Sequence, residues 1–348
     1  MTTAWAEAMS PYELRAWQQI VAQAQRDERR RRSGGKARAA VQRAGTTVTH
    51  TWDSLPGTDQ IEAALATALS GIQKVTLDAA MQTVNEARVI RDFQQEHPGI
   101  TELADLRLLD LQECDRRIPR RRTGYGVASV AAGAATSLAI TGAVVATTVS
   151  GGTTAAVALG ALATDVAGTL AGLGRIIAVT AAQYGYDVRE PEEELYATGV
   201  LSFAMASSSA GKVGALTSLS RLTQAMMRRA TWEQLRRHQL VPIIEKVYAT
   251  LGLKLTQKKL GQVIPVAGAL INGGLNAELV DRTFRRSAQA YRLRFLADKY
   301  GIDVAAELAG LEDDDAGEPD GPMIDELFDE LVINDGPDPV DDPFAQEE

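Results

Sequence analysis

Small apolar residues dominate the middle of the chain from residue 123 to 186, where Asp165 and Arg175 are the only charged residues. A glycine pair at 151–152 divides this tract into two arms, and such a pair is a typical place for a turn. Each arm exceeds the roughly 20 residues that cross a bilayer, although glycine and threonine are common in both. The pattern predicts a helical hairpin at 123–186, either buried in the protein or inserted in a membrane.

Amphipathic helices are predicted on both sides of this hairpin, because apolar residues recur there at intervals of three and four. Serine, threonine and proline precede several of these stretches and are typical of helix starts. One helix is predicted after Ser10 as its N-cap, another after Thr101 as its N-cap, and a third begins at Pro191. Three more are predicted at 59–91, 216–238 and 276–300. A shorter small-residue element is predicted at 269–275.

These elements predict an all-α fold, a helical bundle around the Gly/Ala-rich apolar hairpin with a disordered acidic C-terminal tail. The predicted regions are an N-terminal helix and arginine-rich arm at 1–45, a helical domain at 46–310, and a tail at 311–348. The 45% hydrophobic content supplies enough apolar side chains for a sizeable core.

Charge is distributed unevenly along the chain. Residues 312–348 carry 16 acidic groups, and no lysine or arginine follows residue 300. Without those 16 groups the net charge changes from −9 to +7, so a basic body bears an acidic tail. A basic body favours an anionic partner, with membrane and nucleic acid both eligible, and the tail can compete for that surface.

Two arginine clusters are the candidate contacts with an anionic lipid surface, although a solvated helix end and linker is the alternative for the first cluster. Aromatic residues do not alternate with these arginines, as stacking on single-stranded bases would require, so no nucleic-acid partner is expected. The expected partner is an anionic membrane surface or a membrane protein. The candidate residues are Arg29, Arg30, Arg31, Arg32, Arg116, Arg117, Arg120, Arg121 and Arg122.

The tail contains one amphipathic stretch at 323–333, between linkers rich in glycine, proline and aspartate. Its apolar residues fall at i, i+3, i+4 and i+7, a spacing typical of a helix that binds in a groove, supplied either by the body of this protein or by a protein partner. The alternative is a solvated acidic tail with incidental apolar residues. The four apolar positions are Ile324, Leu327, Phe328 and Leu331.

No catalytic constellation or cofactor motif is apparent in the sequence. The segment 206–213 resembles a phosphate-binding loop, but Ala206 replaces its first glycine and Val213 its hydroxyl residue. Cys114 is the single cysteine, which excludes an internal disulfide framework and agrees with a cytoplasmic location, as does the absence of a visible secretory signal. The three histidines stand singly without acidic neighbours at ligand spacing, so neither metal nor cofactor is expected.

Several segments taken in order resemble the EcsC family of bacterial proteins. They are Tyr12-Glu13 with Trp17, the stretch from Asp165 through Arg175-Ile176-Ile177 to Tyr184-Gly185-Tyr186-Asp187, Pro191 with Glu193, LGLKLTQKKLGQVIPVAGALINGGLN, and RLRFLADKYG. The resemblance implies an all-helical protein without catalytic residues to carry over, and a membrane partner such as a transporter. The arginine-rich arm and the acidic tail depart from the shorter members of the family.

The resemblance draws attention to Asp165, Arg175, Asp187 and Lys254 as candidate buried polar or functional residues. Ionisable groups in an apolar layer are either neutralised by partners or functional. We expect a non-enzymatic, membrane-peripheral or membrane-inserting accessory protein, whose acidic tail regulates or recruits. The alternatives are a hydrolase that uses acidic residues at the hairpin, and a soluble helical scaffold that binds proteins through the tail.

Overall fold

The computed structural model describes residues 4–33, 80–81, 83–118, 169–206, 209–228 and 268–309. Helices joined by short turns make up this part of the chain, and it contains no strand. The predicted all-α class is therefore confirmed. The helices are α1 (Ala4–Ala8), α2 (Pro11–Ser33), α3 (Glu86–Gln94), a 3₁₀ helix (Leu103–Leu108), α4 (Leu111–Asp115), α5 (169–183), α6 (Pro191–Met205), α7 (Ser209–Met227), α8 (Gly268–Tyr300) and α9 (Val304–Ala309).

The start of α2 is fixed by a capping box. The backbone N–H of Glu13 donates to Oγ of Ser10 at 3.2 Å, and the backbone N–H of Ser10 donates to Oε2 of Glu13 at 3.1 Å. Pro11 occupies the first helical position, where a missing N–H has no consequence for the helix. Pro191 opens α6 in the same way, so both predicted helix starts are confirmed.

The helix predicted after Thr101 is instead two short helices, the 3₁₀ helix and α4. The carboxylate of Asp105 accepts hydrogen bonds from the backbone N–H groups of Thr101 and Glu102 at 2.7 and 3.0 Å, which makes Glu102 the N-cap. Asp110 then caps α4. Aspartate competes effectively for local backbone donors, and here it divides one apolar stretch into two helices.

Two further helix boundaries differ from the prediction. Residues 83–85 interrupt the helix predicted at 59–91, and the side chain of Asn85 caps α3 by accepting from the backbone N–H of Arg88 at 3.0 Å. At the other end of the chain, α8 begins at Gly268 and runs without a break to Tyr300, so the predicted small-residue element is the first part of α8. Glycine has a low helix propensity, yet the glycines in this part of the chain do not end the helix.

The end of the predicted hairpin is buried in the body of the protein. Residues 176–186 are all buried, and α5 closes with a Schellman motif in which Gly185 has φ +85°. The N–H groups of Tyr186 and Gly185 donate to the carbonyls of Ala181 and Ala182 at 3.0 and 3.2 Å. The remainder of the hairpin, 123–168, lies outside the described residues. Among the helices in the described part, none is long and apolar enough to cross a membrane.

The C-terminal half of α8 lies in the middle of the helical assembly. It packs against α2, α4, α6, α7 and the 3₁₀ helix, and its residues 286–297 are all buried. Aromatic rings fill the space beside it, with the ring of Tyr291 5.4 Å from that of Tyr196 and 5.6 Å from that of Tyr186. Any charged residue in this part of α8 therefore needs a partner inside the core.

Candidate functional site

Three cations near the end of α8 each pair with a carboxylate from a different helix. Arg292 and Arg294 are two positions apart, which corresponds to about 200° around a helix, so their side chains leave α8 in nearly opposite directions. We call the six charged residues the ionic centre. It consists of Arg292 with Asp115 of α4, Arg294 with Glu193 of α6, and Lys299 with Glu13 of α2.

The pair between Asp115 and Arg292 is enclosed. Their side chains are 0% and 3% exposed, and two bonds join them, Nε to Oδ1 at 2.9 Å and Nη2 to Oδ2 at 2.7 Å. The hydroxyls of Tyr184 and Tyr12 donate to the same carboxylate at 2.6 and 2.8 Å. Burial opposes the charge on Arg292, but Asp115 outweighs this effect and raises the pKa of the guanidinium. The carboxylate therefore joins α2, α4, α8 and the end of α5.

The pair between Glu193 and Arg294 is bidentate and lies between two aromatic rings. The guanidinium of Arg294 bonds both carboxylate oxygens, and its central carbon lies 4.2 Å from the ring centre of Tyr186 and 4.4 Å from that of Tyr196. The hydroxyl of Tyr186 donates to Asp298 at 2.8 Å. Burial raises the pKa of Glu193 even though Arg294 acts in the opposite direction. This geometry fits an arginine, because lysine can neither bond both oxygens in a plane nor stack between rings.

Glu13 joins the first long helix to the end of α8. Besides its role in the capping box, its carboxylate accepts from Nζ of Lys299 at 2.7 Å, from the hydroxyl of Tyr300 and from the backbone N–H of Leu111 at 3.2 Å. Burial alone would raise the pKa of Glu13, but the hydrogen bonds from Lys299 and Tyr300 outweigh it and hold the pKa below its ordinary range.

The lowered pKa of Glu13 predicts an acid-dependent loss of stability. A carboxyl group with a folded-state pKa below its unfolded value contributes stability above the unfolded pKa, near 4.5, and loses it as the pH falls further. We expect Glu13→Gln to lower the free energy of unfolding at pH 7 by about 2 kcal/mol, because it removes bonds to a charged group. Urea unfolding at pH 7 and pH 3 should show this difference from the unchanged protein shrinking at the lower pH.

Glu7→Gln is the matched control, since Glu7 is exposed on α1. It should leave the free energy of unfolding nearly unchanged at both pH values. A Glu13→Gln difference that stays constant or grows as the pH falls to 3 would show that the carboxylate of Glu13 is not the ionised partner of Lys299.

The ionic centre stabilises the fold and is poorly placed for catalysis. The carboxylates of Glu13, Asp115 and Glu193 are at most 9% exposed, and each bonds a cation directly. A substrate could reach Asp115 or Glu193 only by displacing a buried arginine from its carboxylate, which is strongly unfavourable, and the carboxylate of Glu13 is itself only 1% exposed.

The candidate residues at the hairpin lie apart from this centre. Arg175 is half-buried, and its Nη1 bonds the carbonyl oxygen of Thr83 at 3.2 Å and the Thr83 hydroxyl. Asp187 is 25% exposed and pairs with the half-exposed Arg189, Nη2 to Oδ2 at 2.8 Å. Asp165 and Lys254 lie outside the described residues.

The candidate arginines fall into two environments. Arg29 and Arg30 are exposed near the end of α2. Arg116 and Arg117 instead pair with Glu96. Nη2 of Arg116 lies 3.6 Å from Oε2 of Glu96, and Nη2 of Arg117 lies 3.3 Å from Oε1. The central guanidinium carbon of Arg117 also lies 4.0 Å from the ring centre of Phe93. The other candidate side chains lie outside the described residues, namely those of Arg31, Arg32, Arg120, Arg121 and Arg122 and of the tail residues Ile324, Leu327, Phe328 and Leu331.

His97 has closer acidic neighbours than its sequence context indicated. Its Nε2 lies 3.4 Å from Oε2 of Glu113, and ligand atoms of Glu96, His97 and Glu113 lie within 4.8 Å of one another. The expectation that no acidic group stands at ligand spacing from a histidine is therefore wrong for His97. Both carboxylates also pair with Arg116, whose charge opposes the binding of a cation.

The sequence-based candidates did not include Asp115, Arg292, Arg294 or Lys299. One signal for them was present, because arginines at i and i+2 in a helix cannot share one exposed face. Tyr12-Glu13, Tyr184-Gly185-Tyr186, Pro191 with Glu193, and RLRFLADKYG were noted for the resemblance, and the structure brings residues of all four segments together around the end of α8.

The fold and the ionic centre define an all-helical protein whose core is fixed by buried ion pairs. A model of the EcsC protein family matches residues 16–296, and the chain belongs to this family. The predicted resemblance is therefore confirmed. Glu13 lies just before the first matched residue and Lys299 just after the last one, and their side chains bond each other. No curated protein and no solved structure matches the chain.

Proposed function

We propose that this protein is a non-enzymatic accessory protein that associates with an anionic membrane surface, or with a membrane partner such as a transporter, through arginines at the end of α2. This proposal rests on one observation, which is that basic side chains are exposed and acidic side chains are buried at the end of α2. Arg26, Arg29 and Arg30 are exposed, whereas Asp27 and Glu28, which lie between them in sequence, are 6% and 3% exposed.

Helix geometry explains this separation. Residues 26, 29 and 30 are related by i, i+3 and i+4 and share one face, whereas 27 and 28 point elsewhere. The exposed face is therefore more basic than the mixed sequence DERRRR implies. Each arginine close to an anionic membrane contributes about 1 kcal/mol of attraction, so a cluster supports salt-dependent binding. The acidic tail then acts as a regulatory or recruiting element.

Sedimentation with vesicles tests this proposal. The full chain should pellet with vesicles that contain phosphatidylserine and stay in solution with neutral vesicles, and binding should weaken as salt rises. Arg29→Glu with Arg30→Glu should reduce binding at least tenfold. The matched control is Arg88→Glu with Arg91→Glu, which changes the net charge equally at two exposed positions of α3.

Equal losses in the two double variants would mean that total charge, and not the end of α2, governs association. If neither vesicle type binds the unchanged protein, the membrane proposal is wrong. Circular dichroism of each variant separates these outcomes from unfolding.

The hydrolase alternative gains little support from the described residues. Asp187 borders a shallow depression lined mainly by apolar side chains, and Arg189 pairs with it and with Glu86 at the rim. A general base needs free access to a substrate proton, which this arrangement does not offer.

One observation supports the scaffold alternative. Residues 176–186, the end of the predicted hairpin, are enclosed by the protein, so this end has no surface for lipid. A soluble scaffold would bind neither vesicle type and would act through protein partners of the tail segment 323–333. The vesicle experiment therefore distinguishes the two functions.

A further inference from the structure

We propose that α2 lies flat on the anionic membrane surface and contacts it along a polar stripe, with Arg15 near one end of the contact and Arg29 near the other. The flat contact extends the proposed function, which uses only the end of α2, and rests on it for the identity of the surface. It fixes both the orientation of the helix and the depth at which it binds.

The exposed side of α2 carries cations and no carboxylate over the residues whose burial the structure describes, 11–30. The three acids of the helix, Glu13, Asp27 and Glu28, are 1%, 6% and 3% exposed. Every exposed residue after Pro11 is an arginine, a glutamine or an alanine. We call these residues the α2 stripe, and they are Arg15, Gln18, Gln19, Ala22, Gln25, Arg26, Arg29 and Arg30.

Arg15 and Arg29 lie on the same side of α2 and far apart along it. They are 14 positions apart, which corresponds to about 40° around the helix axis and about 21 Å along it. In the part of the chain that the structure describes, neither side chain pairs with a carboxylate, whereas Arg26 and Arg30 both interact with other residues. Arg15 and Arg29 can therefore pair with an external anion without leaving a described partner.

An extended anionic surface fits this arrangement better than a small anion. One phosphate group cannot contact two cations about 21 Å apart, whereas a layer of anionic headgroups reaches both at once. The glutamine amides between them can donate hydrogen bonds to headgroup oxygens and carry no charge that would repel them. The stripe has no aromatic side chain on which a single-stranded base could stack. These properties together favour an anionic membrane as the partner.

The composition of the stripe also predicts that α2 binds at the depth of the headgroups. Helices that enter the membrane interface do so through a face of large apolar side chains. The large apolar residues Trp17 and Ile20 of α2 are each 4% exposed and belong to the protein core. Attraction to the membrane therefore comes from charge, which salt screens, and high salt should release the protein.

Vesicle titration with single neutral variants tests the contribution of each end. Arg15→Gln in the full chain should weaken binding to phosphatidylserine vesicles about fivefold, because it removes one cation from the contact. Arg29→Gln should have an effect of similar size, and Arg15→Lys, which keeps the charge, should bind like the unchanged protein. The matched control is Arg88→Gln, which removes an exposed cation from α3. Its effect should stay below about twofold, because charges outside the contact are screened.

Fluorescence quenching by nitroxide lipids tests the orientation and the depth. A fluorophore is attached to Gln18→Cys or Gln25→Cys, which replace exposed residues of the stripe seven positions apart. Cys114 is fully buried, and burial raises the pKa of its thiol, so it should not be labelled. Headgroup nitroxides should quench both sites to a similar extent, and nitroxides deep in the acyl chains should quench neither. Gln95→Cys is the control at an exposed residue after α3 and should be quenched by neither lipid.

The outcomes separate the flat contact from the proposed function. If Arg29→Glu with Arg30→Glu reduces binding but Arg15→Gln does not, α2 touches the membrane only at its end, and the flat contact alone is refuted. Quenching at Gln25→Cys without quenching at Gln18→Cys has the same meaning. Equal losses in Arg15→Gln and Arg88→Gln would also refute it, because total charge would then govern binding.

Two further results would refute the proposed function together with the flat contact. The first is an unchanged protein that binds no vesicles. The second is binding to duplex DNA that Arg15→Gln and Arg29→Gln weaken, in a protein that binds no vesicles, since the stripe would then be a nucleic-acid surface.

Discussion

Asp115→Asn is expected to lower the free energy of unfolding by about 3–5 kcal/mol, because removing one partner of a buried pair leaves an uncompensated charge. The stranded group is Arg292, which is 3% exposed and loses two charge-assisted bonds. The hydroxyls of Tyr12 and Tyr184 lose their charged acceptor at the same time. Urea unfolding followed by circular dichroism should show a lower midpoint with little change in slope.

Asp187→Asn makes the same chemical change at a half-buried pair. Asp187 is 25% exposed and its partner Arg189 is 50% exposed, so the expected loss is below about 1 kcal/mol. If the two variants lost equal stability, the buried pair between Asp115 and Arg292 could not be the main ionic contribution to the fold.

Gly185→Ala is expected to destabilise the protein by about 2–5 kcal/mol through two additive effects. Its φ of +85° is a conformation that costs an alanine roughly 1–2 kcal/mol. A Cβ at this position would also lie 2.7 Å from the carbonyl oxygen of Leu103, a backbone atom that cannot move aside easily. Overpacking of this kind adds about 1–3 kcal/mol, and thermal unfolding should show a clearly lower midpoint.

Gly301→Ala isolates the first of these effects. Gly301 has φ +64° and follows α8 as Gly185 follows α5, but no atom lies within 4 Å of a Cβ built there. We expect a loss of about 1–2 kcal/mol. Equal losses in the two variants would mean that the chain moves away from Leu103 without a measurable penalty.

The sequence predicted helix boundaries correctly only where a local signal marks them. The capping box at Ser10 and the proline at 191 are local signals, and α8 ends at Tyr300 as predicted. The start of α8 was predicted eight residues too late, since Gly268 begins the helix and 276 was expected. Glycines suggested a break there, but the helix continues through them although each costs about 1 kcal/mol relative to alanine.

The ionic centre was much harder to predict. Arg292 bonds Asp115 across 177 positions of sequence, and Lys299 bonds Glu13 across 286. Neither carboxylate has a local feature that identifies its partner. Attention fell on Asp165 and Arg175 because they interrupt an apolar tract, a pattern visible in sequence, whereas Arg292 and Arg294 stand in an ordinary mixture of apolar and charged residues.

The sequence by itself determined the all-helical class, the membership in the EcsC family and the helix starts after Ser10 and at Pro191, because caps, prolines and apolar periodicity act over a few residues. Only the tertiary structure decided which charges are buried and which are exposed. Asp27 and Arg29 are two positions apart in one charged run, yet the first is buried and the second is exposed. The free energy of a charge depends on the groups that surround it, and in this protein distant parts of the chain supply them.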